Sequence, residues 1–441
     1  MENIPSSSAV SESVPTVIVQ KPLIKSSITP GLLAVISLLP CILSGAVLGY
    51  TGVTLSNLEI SFRSKTWFAS FALLGASGGC LISQSMINTF GPRGTSLLSH
   101  LVGMIGWILT ISSLTTLNFF IGRILLGLFV GITSISVSAY CAECFPRRLS
   151  ARPVVYTALG VFCIYFCGSL LNYRQTAFIA FVVTILSFFL VRMYVPESPA
   201  WLESKGKMGD AEYSKLKLRL TETPNNDLEV QPGLKFVKNI KKQAVYKPFL
   251  ALCLHFTLQQ LSGPLAVVAY AVEIIGDSGV RILNGYFIAV ILSAFMVMGA
   301  LVSTAMDHKE STNILSATGI VISGIVIGVF NLIRSLVLNR VASQMLSFIP
   351  LLGILLLIIS SCTALVPSLP IKNTNGEHTA LGFNYFIGFV VVKCYPYAQA
   401  YLGWWIFIIF AVMASLDIVT CVLFFSEPKK SHPSEEPGPS V

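Results

Sequence analysis

The sequence predicts an all-α membrane protein with twelve transmembrane helices, and three observations carry that expectation. Apolar residues make up 54% of the 441-residue chain and charged residues only 11%, whereas a soluble domain carries roughly 25% charged residues. Mean hydropathy is +0.76. Apolar runs of about 20 residues, enough for a helix to cross ~30 Å of hydrocarbon, recur along almost the whole chain. A backbone in lipid must satisfy its own hydrogen bonds, so runs of this length are helices; barrel strands are about half as long and alternate in polarity.

In chain order the spans fall at 31–53, 66–89, 95–113, 117–143, 153–172, 175–195, 248–275, 283–306, 312–335, 343–367, 379–398 and 402–425. Pro40, Gly45, Gly49 and Pro264 lie inside them, which is tolerated where neighbouring helices re-satisfy the backbone. The first run follows a Ser/Pro-rich stretch without the small-residue cleavage site of a signal peptide, so span one is expected to be retained. Residues 1–30 and 426–441 are expected to be disordered tails. Residues 203–247 form the only long polar segment between spans and mix ten Lys/Arg with six acids. Helical periods such as 211–220 mark them as a linker with amphipathic helices between a six-span unit at 31–202 and another at 248–425. The halves are faintly alike: Ser44-Gly45-Ala46-Val47 with Tyr50 resembles Ser262-Gly263, Ala266-Val267 and Tyr270. Such repeats are a feature of carriers whose substrate site lies between the halves.

Orientation follows from the basic residues. With the N-terminus inside, 21 Lys/Arg are cytoplasmic and seven are external, leaving Arg123 within a span; this bias places both termini in the cytoplasm. The net charge of +9 is therefore a membrane-facing charge, and no basic stripe interleaved with aromatics suggests nucleic acid. The partner implied by composition is the lipid bilayer. All ten cysteines lie inside or at the ends of spans. They read as soft apolar filler, Cys141/Cys144 and Cys163/Cys167 included, with no disulfide framework, metal or cofactor expected. No phosphate loop, Ser/His/Asp set or carboxylate cleft points to an enzyme.

Four motifs occur in order: Gly122-Arg123-Ile124-Leu125-Leu126-Gly127 opening span four, Ala142-Glu143 closing it, Pro196-Glu197-Ser198-Pro199-Ala200-Trp201-Leu202 after span six, and Gln259-Gln260-Leu261-Ser262-Gly263 in span seven. With them the chain resembles the sugar porter family of the major facilitator superfamily, in particular the insect facilitated trehalose and hexose transporters. The resemblance implies two six-helix bundles that rock around a central site. It implies sugar binding by Gln259, Gln260 and Asn384, with Tyr385 in place of the family's tryptophan and Tyr270 as part gate and part packing. It also implies a cytoplasmic gate using Arg93, Glu143 and Glu197, with Gly122, Arg123, Gly127, Pro196, Pro199 and Gly263 as structural positions. Amides suit sugar hydroxyls because they both donate and accept.

The chain departs from the family in several places. Leu265 stands where a binding Asn is usual, residues 151–171 lack a Gln, span ten lacks a Trp, and Phe295 lies near a missing Asn. The loop Asn88-Thr89-Phe90-Gly91-Pro92-Arg93 has no aspartate, Ser150 replaces an Arg, and Asp307-His308-Lys309-Glu310-Ser311-Thr312 lacks Gly-Arg-Arg. A weakened inner latch, favouring an inward-open population, is the expectation.

Ion-driven carriers use intramembrane acids, and spans one and two contain none. His255 reads as a hydrogen-bonded filler, and Asp417, deep in span twelve, must be paired, hydrated or neutralised. The expected function is facilitative transport of a sugar such as trehalose or a hexose across the plasma membrane. The alternatives are a non-transporting sugar sensor and a carrier of a less polar small solute.

Overall fold

The computed structural model describes residues 29–112, 115–145, 153–220, 243–277, 284–306, 309–336, 348–361 and 377–425. All regular secondary structure among them is helical. The N-terminal half contains α1 (Pro30–Thr54), α2 (Phe62–Ser112), α3 (Thr116–Cys144), α4 (Pro153–Leu170) and α5 (Tyr173–Tyr194). Two short helices, α6 (Pro199–Ser204) and α7 (Met208–Leu218), follow. The C-terminal half contains α8 (Gln243–Leu261), α9 (Pro264–Ala269), α10 (Ala271–Asp277), α11 (Gly285–Ala305), α12 (Lys309–Leu336), α13 (Phe348–Ser360), α14 (Glu377–Leu402) and α15 (Ile406–Phe425).

Local chemistry sets several starts. Thr29 caps α1 by accepting from the Leu32 amide, with Pro30 in the first turn. Thr115 caps α3, Asn284 caps α11, and Asn172 with Gln175 forms a reciprocal capping box on α5. The described residues hold nine helical stretches long and apolar enough to cross a membrane. Two of them, residues 62–112 and 378–424, are about twice a span long and hold spans two with three and eleven with twelve. Span ten contains the shorter apolar helix α13, so each of the twelve spans has its helix.

Within α2 the two helices expected there, spans two and three, are both present and meet at a kink: Gly91, at φ 80° and ψ 163°, breaks the helical backbone between them, a conformation open to glycine. In the linker the expected period at 211–220 is realised as α7, ended by Arg219 at φ 54°, and Lys215 pairs with Glu203 at 2.6 Å. The tails, residues 221–242, the Asp307-His308 loop and the Arg147/Arg148/Ser150/Arg152 cluster lie outside the described residues.

Helices of the N-terminal half pack as α2 on α3 and α5, and α1 on α4; in the other half α12 packs on α13 and α15, and α8 on α14 and α15. Across the halves α14 lies along α2 and α11 along α4, with α9 against α1. Without a hydrophobic force between helices in lipid, close backbone approach supplies the dispersion energy. Gly127 shows how close: a Cβ there would sit 2.0 Å from the Ala72 carbonyl oxygen. Gly127→Leu is expected to force α2 and α3 apart at a cost of ~1–3 kcal/mol, read as a lower melting temperature and less monodisperse protein on size exclusion.

Candidate functional site

Span seven is not one helix but three, α8, α9 and α10. Gly263 sits between the first two at φ +87°, where any Cβ would strike the Phe410 ring at 2.3 Å, and Pro264 opens the next helix. The sequence marked Pro264 as a tolerated irregularity, and the family resemblance gave Gly263 as a structural position; together they divide the span just beyond its two glutamines.

Those glutamines end α8, and Asn384 faces them from α14. The Gln260 Nε2 donates to the Asn384 Oδ1 at 2.8 Å, and Gln259, Gln260 and Asn384 are all buried. Three polar atoms of this cluster, Gln259 Oε1, Gln260 Oε1 and Asn384 Nδ2, have no hydrogen-bond partner among the described residues. Each such buried atom costs ~1–3 kcal/mol, so the cluster is not optimised for stability. Gly388, one turn beyond Asn384, keeps the α14 backbone close: a Cβ there would lie 3.4 Å from Gln260 Oε1 and 2.9 Å from Leu265.

The two tyrosines expected at the site use their hydroxyls elsewhere. Tyr385 is 3.3 Å from Ser134 Oγ in α3, across the halves. Tyr270 donates to the Val392 carbonyl at 3.1 Å and stacks on Tyr395 with centroids 5.3 Å apart. Both therefore fix helices to one another beside the amides.

The N-terminal gate residues come together, but with a different pairing from a simple Arg–Glu bridge. Glu197 accepts from the backbone amides of Arg93 at 2.9 Å, Gly94 at 3.1 Å and Ser198 at 3.1 Å. The Arg93 guanidinium instead donates to the Arg192 carbonyl at 2.6 Å. The Gly91 bend turns the amides at the start of the third span toward Glu197, and exposed helix amides are a natural seat for a carboxylate. Burial pushes the Glu197 carboxyl above its ordinary pKa, against the pull of those amides. Ser198 bonds Glu143 and caps α6 ahead of Pro199, and Tyr140 donates to the Pro196 carbonyl at 3.0 Å.

Arg123 is buried and bonds Phe68 O at 3.3 Å, Val47 O at 3.2 Å and the Thr51 hydroxyl. Its guanidinium lies 4.8 Å from the Phe68 ring centroid, and among the described residues no carboxylate pairs with it. It ties spans one, two and four through neutral groups. Gly122 lets span four approach span three, since a Cβ there would press on Thr110 Oγ1 at 2.8 Å and on the Gly106 carbonyl oxygen at 3.0 Å.

Contacts between the halves missed by sequence reasoning cluster on the side that the basic-residue bias assigns to the outside. Lys393 donates to Thr66 Oγ1 at 2.6 Å and lies 3.8 Å from the Trp67 ring centroid. Tyr165 donates to the Val268 carbonyl at 2.5 Å, Ser56 bonds Tyr286, and Phe62 meets Tyr397 edge-on at 5.4 Å. The unusual cation near the outer end of span eleven, close in space to span-two aromatics, was the only signal available, and its partner lies over 300 residues away in sequence. His255 and Asp417, read separately from sequence, pair at 2.7 Å between α8 and α15.

Twelve apolar helical spans in two packed halves, with a buried amide cluster between spans seven and eleven, are an all-α membrane protein of the major facilitator fold. The family model described as sugar (and other) transporter matches residues 50–435, and the chain belongs to that family. It is 30% identical over 333 residues to sugar transporter ERD6-like 17 of Arabidopsis thaliana, covering 69% of this chain and 68% of the relative. With facilitated trehalose transporter Tret1 of Apis mellifera ligustica it shares 24% identity over 412 residues, 86% of this chain and 80% of the relative. Its fold is similar to a partially occluded inward-open structure of the E. coli xylose transporter XylE, with a TM-score of 0.72 at 18% identity, over 91% of this chain and 98% of that one. The protein is a multi-pass membrane carrier, not an enzyme.

A cation over an aromatic ring contributes ~0.5–2 kcal/mol, enough to bias a two-state gate. Lys393→Met is expected to raise external maleimide labelling of a cysteine placed at Val268 about fivefold over the same cysteine with Lys393 intact, near 1 kcal/mol. Unchanged labelling would remove Lys393 from the outer latch.

Proposed function

We propose that this protein moves a sugar across the plasma membrane as a uniporter, with both termini in the cytoplasm, by alternating exposure of the site formed by Gln259, Gln260 and Asn384. The observation that supports this most is the set of unpartnered amide atoms: two acceptors, Gln259 Oε1 and Gln260 Oε1, and one donor, Asn384 Nδ2, converge between spans seven and eleven. A hydroxyl both donates and accepts, so neighbouring hydroxyls on one ring satisfy all three, whereas an apolar solute satisfies none. The facilitated trehalose transporter and xylose transporter among the similar proteins support a sugar as the ligand class.

The architecture around the site supplies the motion. The outer contacts of Lys393, Tyr165 and Ser56 join the halves on one side of the amides, and Gly263 with Pro264 gives the outer part of span seven a place to pivot. Breaking those few contacts while Arg93, Glu197 and Glu143 keep the N-terminal bundle intact would open the site outward. Each contact is worth only ~1 kcal/mol net, so the two orientations lie close in energy. Uniport is supported by the neutral environment of Arg123 and by the absence of acids from spans one and two, since a coupling ion usually needs a titratable partner in the cavity.

The test is uptake of labelled trehalose and glucose by cells expressing the protein, with surface abundance measured. Saturable uptake indifferent to a protonophore is expected. In Gln259→Ala/Gln260→Ala it should fall roughly 30-fold, as the loss of two contacts of ~1 kcal/mol each implies. No uptake at normal surface abundance sinks the proposal. A second reading, carriage of a less polar solute, is favoured by the buried Leu265 beside Gln260; inhibition of uptake by deoxysugars more strongly than by the parent sugar would select it.

A further inference from the structure

Asp417 is a carboxylate 4% exposed in the middle of an apolar helix, facing a His255 only 1% exposed. A buried pair of this kind is weak as a stabilising device, because apolar residues of equal volume would do as well or better. Ionisable groups within spans mark function more often than packing. A third group completes the arrangement: Cys421 Sγ lies 3.6 Å from the same His255 Nδ1 that meets Asp417 Oδ1 at 2.7 Å. Asp417 and Cys421 stand four residues apart, so both project from one face of α15 toward α8. The three ligand atoms lie within 4.8 Å of one another, all on buried residues.

We propose that His255, Asp417 and Cys421 bind one divalent transition-metal cation of the zinc class, joining span seven to span twelve. Imidazole, thiolate and carboxylate are the donor set that zinc takes, at bond lengths of ~2.0–2.3 Å. A cation among atoms so close reaches all three after side-chain adjustments of about 0.5 Å, the size of ordinary thermal displacement. Charge favours it as well. Asp417 binds as carboxylate, Cys421 as thiolate with its proton released to solvent, and His255 as neutral imidazole through Nδ1. The proton that lay between Nδ1 and Asp417 Oδ1 leaves for solvent or, as the tautomer changes, is replaced by one on Nε2. With a doubly charged cation the sum is zero, which suits a site within the bilayer. Asp417 has a second oxygen to offer as a fourth ligand. Because His255 precedes Gln259 by one turn of α8, the bound cation would hold the inner part of span seven against span twelve.

The experiment uses the full chain purified in detergent and stripped with a chelator, and it needs no sugar, so its outcome is separate from that of the uptake test. Zinc is titrated with a competing indicator, and cobalt is added as a spectroscopic probe. We expect one zinc per chain and, with cobalt, the intense thiolate charge-transfer and tetrahedral bands. Cys421→Ser leaves the His255–Asp417 pair in place; it should abolish the charge-transfer band and weaken zinc binding roughly tenfold or more, since even outer-shell losses cost 10–100-fold. Cys253→Ser should change neither. Less than stoichiometric zinc, a cobalt spectrum without thiolate bands in the unmodified chain, or equal affinity in Cys421→Ser would each overturn the site. The cobalt spectrum of the unmodified chain decides even if a variant misfolds.

Discussion

Lipid offers no hydrogen bonds, and nearly every feature of this chain answers to that. Backbone groups are closed within helices, and serines and threonines inside the spans turn back on the preceding turn, as Ser37, Ser70, Thr110 and Thr184 do. His100 is tied at both ring nitrogens, to Ser96 O and Ser187 Oγ. Other buried polar atoms, such as Thr54 Oγ1 and Trp107 Nε1, lack a partner singly, whereas three such atoms belong to the one cluster of Gln259, Gln260 and Asn384. A membrane protein that leaves amides open at its centre gives up stability there, and a polar ligand recovers it.

Buried charge obeys the same constraint in two ways. Arg123 is held by carbonyls, a hydroxyl and aromatic faces that bind charge without a counterion. His255 and Asp417 answer each other directly across two helices. The first arrangement ties three helices of the N-terminal half together. The second links the helix carrying the glutamines to span twelve within the C-terminal half. Glu197 adds a third device, a carboxylate seated on backbone amides exposed by the bend at Gly91, so that end of the N-terminal half is stitched by the backbone itself.

Packing within the halves differs in kind from some of the contacts between them, although the halves also meet along the lengths of α14 with α2 and α11 with α4. Within a bundle, glycines bring backbones to near contact, as at Gly127. Between bundles, the connections include a lysine over a tryptophan and a few single hydrogen bonds.

The sequence by itself determined the helical membrane class, the twelve spans and their order, because hydropathy over about 20 residues is a local property fixed by the thickness of the bilayer. The motifs also carried the family and the Gln259–Gln260–Asn384 trio, since unusual amides in apolar runs are visible without a structure. Tertiary structure alone decided the rest. It gave the Tyr385 and Tyr270 hydroxyls partners on other helices, gave Glu197 amides in place of the Arg93 guanidinium, set the kink between spans two and three at Gly91, and placed Cys421 beside His255 and Asp417. Each of these depends on which faces of distant helices meet. No sequence window records that, because the partners lie from tens to hundreds of residues apart and only packing brings them together.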